Sequence, residues 1–197
     1  MAGVRQFDEE QVFNQALEVF WRKGFLDTTM QDLAAATGVQ RGSLYNAYHD
    51  KETLFLHVFD RYRDRYLEQI RTALAHGTLR EGLERFFEYL ISSMTYGEPA
   101  RGCLSTKTAL GGDVIDAPIR EVLQGLVNGQ EALLRARLAQ PDAEHELLLP
   151  PEEAARLIIT VTRGIVVIER IFQDRARLHA TSRSLLDVLL RKRTAAS

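Results

Sequence analysis

The sequence predicts an all-α protein with an N-terminal three-helix head and a larger helical domain behind it. Apolar residues recur at intervals of three and four along most of the 197 residues, which is the spacing of one helix face. No stretch alternates apolar and polar residues strongly enough to compete as a strand. Glycine and proline interrupt the helical pattern and divide the chain into about nine helices.

The head is predicted from helix start and stop signals near the N-terminus. The first helix begins at the N-cap Asp8 and ends at Gly24. The next two helices meet at residues 37–39, where Gly38 can adopt the positive φ that a tight corner needs. Thr29 caps the second helix, and Asp32 stands three residues later, which is capping-box spacing with Asp in place of the usual Glu.

Six further helices follow, each marked by an apolar stripe and bounded by breakers. We expect them at about 50–75, 79–94, 102–110, 118–138, 150–172 and 182–192.

The third helix has a polar outer face that would make a poor core. Val39 and Leu44 can face the second helix, whereas the outward groups are amides, a guanidinium, a hydroxyl and a phenol. Arginine pairs with guanine, glutamine and asparagine pair with adenine, and hydroxyls reach phosphates in a DNA major groove. The pattern therefore predicts a DNA-reading helix-turn-helix. The outward residues are Gln40, Arg41, Ser43, Tyr45 and Asn46.

Residues 28–55 resemble the DNA-binding head of the tetracycline-repressor (TetR) family. The spacing of Tyr45, Tyr48 and Lys51 is the most specific part of the resemblance, although the family usually has Phe in place of Tyr48. Ala36-Thr37 also departs from the commoner Ala-Gly. Beyond the first third of the chain, the resemblance is one of length and helical pattern. The matching residues are Thr29, Leu33, Ala34, Gly38, Val39, Gly42, Ser43, Leu44, Tyr45, Tyr48, Lys51, Glu52 and Leu54.

The resemblance implies a ligand-responsive transcriptional regulator, a repressor that a small-molecule or thiol-reactive effector releases from a palindromic DNA operator. Residues 1–50 would form the DNA-binding domain, 51–75 a linking helix, and 76–197 the effector-binding and dimerisation domain. The last two helices are apolar on more than one face, which favours a homodimer that buries them.

The roles expected at the DNA are assigned residue by residue. Gln40 and Arg41 would read bases, and Gly42 would allow close approach of the helix. His49 lies beside this face and would contact a phosphate or water. The residues expected on phosphates are Thr29, Ser43, Tyr45 and Lys51.

An alternative class stays open: a small-molecule-binding or catalytic helical protein with a vestigial head. The formal net charge of −2 supports this alternative, and the head itself carries more acidic than basic residues. No catalytic motif can be named, however, so we expect no enzymatic activity. The five histidines are not at metal-ligand spacing, and we expect neither a metal nor a cofactor.

Cys103 is a candidate effector or redox site, with Lys107 four residues later. A nearby cation and helix amides favour the reactive thiolate, although a small buried packing residue is the commoner role of a single cysteine. One cysteine excludes an internal disulfide. We see no signal-peptide pattern and no apolar run of membrane-spanning length, and we expect a cytoplasmic protein with no membrane partner.

Overall fold

The computed structural model describes residues 7–112 and 114–191, and nine α-helices account for most of them. Within these ranges the only β-type pairing is an isolated bridge between Leu147 and Leu190. The all-α prediction is confirmed. The helices are α1 (Glu9–Lys23), α2 (Met30–Thr37), α3 (Arg41–Tyr48), α4 (Lys51–Leu74), α5 (Leu79–Met94), α6 (Leu104–Ala109), α7 (Ala117–Leu138), α8 (Pro151–Phe172) and α9 (Arg175–Leu189).

The chain divides into two compact units that do not follow simple chain order. The first unit holds the residues up to Arg65 together with Cys103–Gln124. The second unit holds Tyr66–Gly102 together with the residues from Gly125 onward. The short helix α6 therefore belongs with α1, α2 and α3. The boundaries expected from sequence, at residues 50 and 76, stay a prediction.

The first unit is built around aromatic rings from α1, α4 and the segment between α1 and α2. Phe55 is fully buried, and its ring centroid lies 5.0 Å from that of Phe20 and 4.9 Å from that of Phe25. Trp21 meets Tyr62 edge to face at 5.2 Å. Large aromatic side chains bury much apolar surface each, so this cluster fixes α1 against α4.

The start of α1 is fixed by its cap and by an ion pair to α4. The Asp8 carboxylate accepts hydrogen bonds from the backbone N–H groups of Glu10, at 2.9 Å, and Gln11, at 3.3 Å. Arg65 on α4 lies 2.9 Å from Glu10 and donates to Asn14 at 2.9 Å. These contacts attach the first turns of α1 to α4, and the predicted N-cap is confirmed.

The second unit buries one face of α5 against α9, and α9 also packs on α8. A capping box between Thr78 and Glu81 begins α5. The buried face follows helical spacing, as predicted, so the same residues that gave the periodic signal form the core. They are Leu79, Leu83, Phe86, Phe87, Leu90, Ile91 and Met94.

The last helix begins earlier than the sequence predicts, at Arg175 rather than residue 182. Asp174 caps it by accepting a hydrogen bond from the Arg177 N–H at 3.1 Å. The first turn carries charged residues and only one deeply buried apolar side chain, Leu178. The apolar periodicity therefore begins several residues after the true start of the helix. The predicted end at Lys192 lies outside the described residues.

Two charged side chains of the second unit, Glu169 and Arg137, are buried. Glu169 reads as a surface charge in the sequence but is buried in α8, and burial raises the pKa of its carboxyl group. Arg137 on α7 is only 5% exposed. Its guanidinium donates to the Leu74 carbonyl at the end of α4, at 3.0 Å, and to both oxygens of Asp142, at 3.0 and 2.8 Å.

Helices long enough to cross a bilayer are present, but none within residues 7–112 and 114–191 is apolar enough to do so.

Replacing Arg137 by Met tests this buried junction. The change leaves the Leu74 carbonyl without its donor and Asp142 without its partner. We expect the free energy of unfolding to fall by about 2 kcal/mol, less than for a wholly buried pair, because the Asp142 side chain is 49% exposed. Urea titration followed by circular dichroism at fixed protein concentration measures it.

The matched control is Arg135→Met, which removes an exposed arginine from the same helical turn. We expect a change within about 0.5 kcal/mol for this control. Equal unfolding midpoints for the two variants would show that the Arg137 junction contributes nothing.

Candidate nucleic-acid interface

The first turn of α2 is held by the capping box that the sequence predicts. The Asp32 N–H donates to the Thr29 hydroxyl oxygen at 3.2 Å, and the Thr29 N–H donates to the Asp32 carboxylate at 3.0 Å. Lys23, from the last turn of α1, donates to the same carboxylate at 2.6 Å. The hydrogen bonds from Lys23 and Thr29 lower the pKa of Asp32 to about 2, so this carboxylate is ionised at neutral pH. The Thr29 hydroxyl itself donates to Asp32 at 2.8 Å, so it already has a partner before any phosphate arrives.

The corner between α2 and α3 has the predicted geometry. Gly38 ends α2 in the left-handed region with φ of 66°, which side chains rarely adopt. Thr37, the residue before it, is buried, and its hydroxyl donates to the Leu33 carbonyl at 2.7 Å. The departure from Ala-Gly at this point is therefore accommodated by one internal hydrogen bond.

Only two side chains of α3 are fully buried, and they anchor the whole helix. Leu44 is 0% and Tyr48 is 1% exposed. The ring of Tyr48 packs at 5.8 Å from that of Phe13, and its hydroxyl donates to a Glu9 carboxylate oxygen at 3.4 Å. The hydroxyl that distinguishes Tyr48 from the more usual Phe therefore has a partner on α1.

The remaining side chains of α3 face outward or lie at its edge. Ser43 is half-buried, and the other predicted DNA contacts on this helix are exposed. Arg41 donates to the Tyr45 hydroxyl at 3.3 Å, and its guanidinium carbon lies 5.4 Å from the centre of the Tyr45 ring. Two of the predicted contact residues are thus ordered against each other on the surface. The exposed group is Gln40, Arg41, Gly42, Tyr45, Asn46 and His49.

Nothing in the described part of the chain requires glycine at position 42. A Cβ atom added there would have no heavy atom of the described chain within 4 Å, beyond its own helix backbone and its neighbours. Its φ is not positive. Glycine costs helix stability relative to alanine, so neither helix propensity nor packing among the described residues accounts for glycine at this position.

His49 turns the chain sharply from α3 into α4. It has φ of 64° and ψ of −49°, and the Asp50 N–H donates to the Tyr48 carbonyl at 2.7 Å across it. This is a classic γ-turn, a conformation that costs energy for any residue with a side chain. The Asp50 carboxylate then accepts from the Thr53 N–H at 2.7 Å, which lowers the pKa of Asp50 and begins α4.

Lys51 does not extend freely from the first turn of α4. Its ammonium donates to the Phe25 carbonyl at 2.8 Å and the Leu26 carbonyl at 3.0 Å, and lies 4.5 Å above the centre of the Phe25 ring. Burial lowers the pKa of Lys51. The sequence identified this lysine as important but gave no sign of these carbonyl partners, which lie 25 and 26 residues away.

Cys103 and Lys107 lie at the two ends of the short helix α6 in the first unit. Cys103 is half-buried at the N-cap position, with its sulfur 3.2 Å from the Ser105 hydroxyl. The Lys107 ammonium donates to the carbonyl of Trp21 in α1. The cation that the sequence associates with the thiol therefore contacts the end of α1.

Comparison with known protein families gives two matches that together cover most of the chain. Residues 12–58 match the family described as bacterial regulatory proteins, tetR family. Residues 81–185 match the tetracyclin repressor-like C-terminal domain. The first match contains α2 and α3, and the second extends from α5 into α9.

Among curated proteins, the chain is similar to the HTH-type transcriptional repressor ComR of Escherichia coli K12. The two are 30% identical over 149 residues, which cover 74% of this chain and 69% of ComR. The uncharacterised HTH-type regulator YezE of Bacillus subtilis 168 is 30% identical over 111 residues, 56% of this chain and 57% of YezE.

Among solved structures, a cysteine-substituted variant of the TetR family transcriptional regulator CifR is similar over 93% of this chain and 98% of that chain. The TM-score is 0.82 at 27% identity, and that structure contains a 26 bp double-strand operator DNA. The reduced form of Escherichia coli NemR has a TM-score of 0.84 at 16% identity, over 94% of this chain and 98% of that chain, which shows a shared fold.

Substitution of Gly42 by Ala tests whether the chain itself needs this glycine. We expect the free energy of unfolding to rise by about 0.5 kcal/mol, because alanine is the better helix former and has room there. Thermal and urea unfolding measure the change.

The matched control is Gly38→Ala, which also meets open space among the described residues but has φ of 66°. We expect it to lower the free energy of unfolding by about 1 kcal/mol. If Gly42→Ala destabilised the protein as Gly38→Ala does, Gly42 would have an internal role that the geometry does not reveal.

Proposed function

The chain belongs to the TetR family of bacterial regulatory proteins, and from this premise we propose that it is a dimeric transcriptional repressor that an effector releases from operator DNA. The observation that supports this most strongly is the outer face of α3. Two buried anchors, Leu44 and Tyr48, hold an eight-residue helix whose other polar side chains are exposed, apart from the half-buried Ser43. A helix presented in this way fits the major groove.

The proposed roles of the α3 residues follow from their chemistry and exposure. Arg41 reads a guanine edge, and Gln40 and Asn46 read adenine edges. Gly42 lets the helix backbone approach the duplex without a side chain between them. The exposed phenol of Tyr45 and the half-buried hydroxyl of Ser43 contact phosphates and fix the register.

Thr29, His49 and Lys51 act at the edges of this face. Thr29 contacts a phosphate at the start of α2, where the helix dipole favours an anion. His49 presents its ring from the γ-turn beside α3. The Lys51 ammonium donates to two carbonyl groups of the segment between α1 and α2. Lys51 therefore both stabilises this segment and contributes to phosphate binding.

Duplex DNA as the partner is supported by the similarity to CifR, which was solved with double-strand operator DNA. The formal net charge of −2 means that affinity comes from a few local cations and from oriented N–H groups rather than from a basic domain. The protein would act where the chromosome lies, in the cytoplasm.

A homodimer formed through α8 and α9 is the second part of the proposal. An exposed strip runs along α8 at the i, i+3, i+7 spacing of a helix-packing seam. It contains Ile171, which is 64% exposed, and Gly164, where an added Cβ would meet no heavy atom within the described chain. A strip that is apolar and exposed in one chain is buried in a two-fold pair. Its members are Leu157, Thr160, Gly164, Val167 and Ile171.

Effector binding is assigned to the second unit, and the ligand is a small molecule of unidentified structure. A polar cluster lies among its helices: Arg163 donates to the Gln130 side-chain oxygen at 2.5 Å, and the Gln130 amide donates to the Tyr66 hydroxyl at 3.4 Å. Gln130 is fully buried. Buried polar side chains that can orient a ligand are a feature of small-molecule sites. A thiol-reactive effector would act instead at Cys103, which lies in the first unit.

The effector lowers the affinity of the protein for DNA, and DNA lowers its affinity for the effector by the same factor. In the proposed mechanism the effector tilts α4 and changes the distance between the two α3 helices of the dimer.

The alternative, a catalytic or ligand-binding protein with a vestigial head, is not favoured. Members of this family are generally DNA-binding proteins without enzymatic activity, and we assign none to this chain. If the head bound no partner, replacing Gly42 by a better helix former would stabilise α3.

A mobility shift against the DNA upstream of the chain's own gene tests DNA reading. We expect Arg41→Ala to weaken binding to the chosen sequence by about tenfold and to reduce discrimination at one base position, since a good bidentate contact contributes about 1–3 kcal/mol. Lys51→Ala should weaken binding to all duplexes alike. If both variants bound every duplex as the parent does, the roles proposed for α3 would be wrong.

Substitution of Gly164 by Glu tests the dimer. The new side chain has room within its own chain and improves helix propensity, so a fall in mass would come from the lost interface. We expect light scattering at about 10 µM to give the mass of two chains for the parent and of one chain for the variant. The control Ala132→Glu, on the exposed side of α7, should stay a dimer. A Gly164→Glu variant that also stays a dimer would move the interface elsewhere.

A further inference from the structure

Two lysines from distant parts of the sequence converge on residues 21–28, which we call the α1–α2 corner. Lys51, from α4, donates to the carbonyl groups of Phe25 and Leu26. Lys107, from α6, donates to the carbonyl group of Trp21, 86 residues away. Carbonyl groups in the last turn of a helix have no partner within the helix, so an ammonium group there meets both a hydrogen-bond need and the negative end of the dipole.

The stem of Lys107 also covers the corner. Its Cγ and Cδ atoms lie 3.7 Å from the position that a Cβ would take on Gly24. Gly24 has φ of 81°, and its carbonyl accepts a hydrogen bond of 2.6 Å from the Thr28 hydroxyl. Thr28 precedes the N-cap Thr29, so the chain passes from the Lys107 contact to the start of α2 within a few residues.

The segment after α6 touches the same corner. The Cδ1 atom of Leu26 lies 2.9 Å from the Cβ position of Gly112 and 3.7 Å from that of Gly111. A side chain at residue 112 would displace the exposed end of Leu26, so these two residues are in close contact. Residues 103–112 thus contact the corner at both its α1 end and its middle.

Lys107 belongs by sequence to the stretch that matches the repressor-like C-terminal domain, residues 81–185. By contact it belongs to the first unit, with α1, α2 and α3. A residue from the regulatory part of the sequence is therefore bonded directly to the helices that carry the DNA-reading face.

We propose that Lys107 is a positioning residue for DNA reading: its ammonium group on the Trp21 carbonyl fixes the α1–α2 corner, and thereby the direction in which α2 and α3 leave it. A displacement of α6 then changes the presentation of α3 through this bond, in addition to any tilt of α4. This inference rests on the proposed function and names a route by which that function is regulated.

The test uses Lys107→Met, which keeps the methylene stem over Gly24 and removes the ammonium group. The control is Arg135→Met, which removes an exposed cation from α7 in the second unit. We expect the operator Kd of Lys107→Met to rise about tenfold at 20 °C, with no change in the slope of log K against log salt, because Lys107 touches no phosphate.

A second readout does not involve DNA. Trp21 is the only tryptophan of the chain and is buried, so its fluorescence reports on the corner itself. We expect acrylamide to quench Trp21 more strongly in Lys107→Met than in the parent or in Arg135→Met.

The outcomes separate the possibilities. A lower melting temperature with an operator Kd within twofold of the parent would make Lys107 a stabilising residue only and overturn the inference. A salt slope reduced by about one would overturn it differently, since Lys107 would then contact a phosphate itself. Unchanged quenching of Trp21 would show that the bond does not fix the corner. A parent that bound no duplex would overturn the proposed function and this inference together, whereas a binding parent and an equally binding variant overturn this inference alone.

Discussion

The attachment of α3 by Leu44 and Tyr48 is the constraint on which the rest of the structure depends. An isolated helix of eight residues is unstable in water, so α3 exists because these two side chains are buried against its neighbours. Two anchors on one face leave the exposed side chains of the helix available to a partner. Tyr48 meets Phe13 and Glu9 of α1, and the aromatic cluster around Phe55 holds α1 against α4.

Much of the head's precision comes from groups that never face the proposed partner. Hydrogen bonds from Lys23 and Thr29 lower the pKa of Asp32, and this carboxylate joins the end of α1 to the start of α2. Lys51 and Lys107 bind the carbonyl groups between those same points. These three lysines thus bind carbonyl and carboxylate groups of the protein itself. This agrees with a head that carries more acidic than basic residues and would read DNA with few exposed cations.

Local features of the fold could be predicted from sequence, and features that join distant residues could not. Thr29, Asp32 and Gly38 lie within ten residues of one another, so capping and corner geometry were visible in the sequence. The bond from Lys107 to Trp21 spans 86 residues, and neither residue type suggests the other. Glu169 was misjudged for a related reason: helical periodicity indicates which face a residue is on, but not that a polar face will be covered. The start of α9 was missed because its cap, Asp174, precedes a charged turn that carries little apolar signal.

Guanine methylation interference on the upstream duplex tests the central claim most directly, because methylation at N7 blocks contacts in the major groove only. If two α3 helices of a dimer occupy successive major grooves, interference should appear as two blocks of related sequence whose centres are about 10 base pairs, or a multiple of one turn, apart. Interference confined to one block, or binding that is indifferent to methylation in the major groove, would contradict the account.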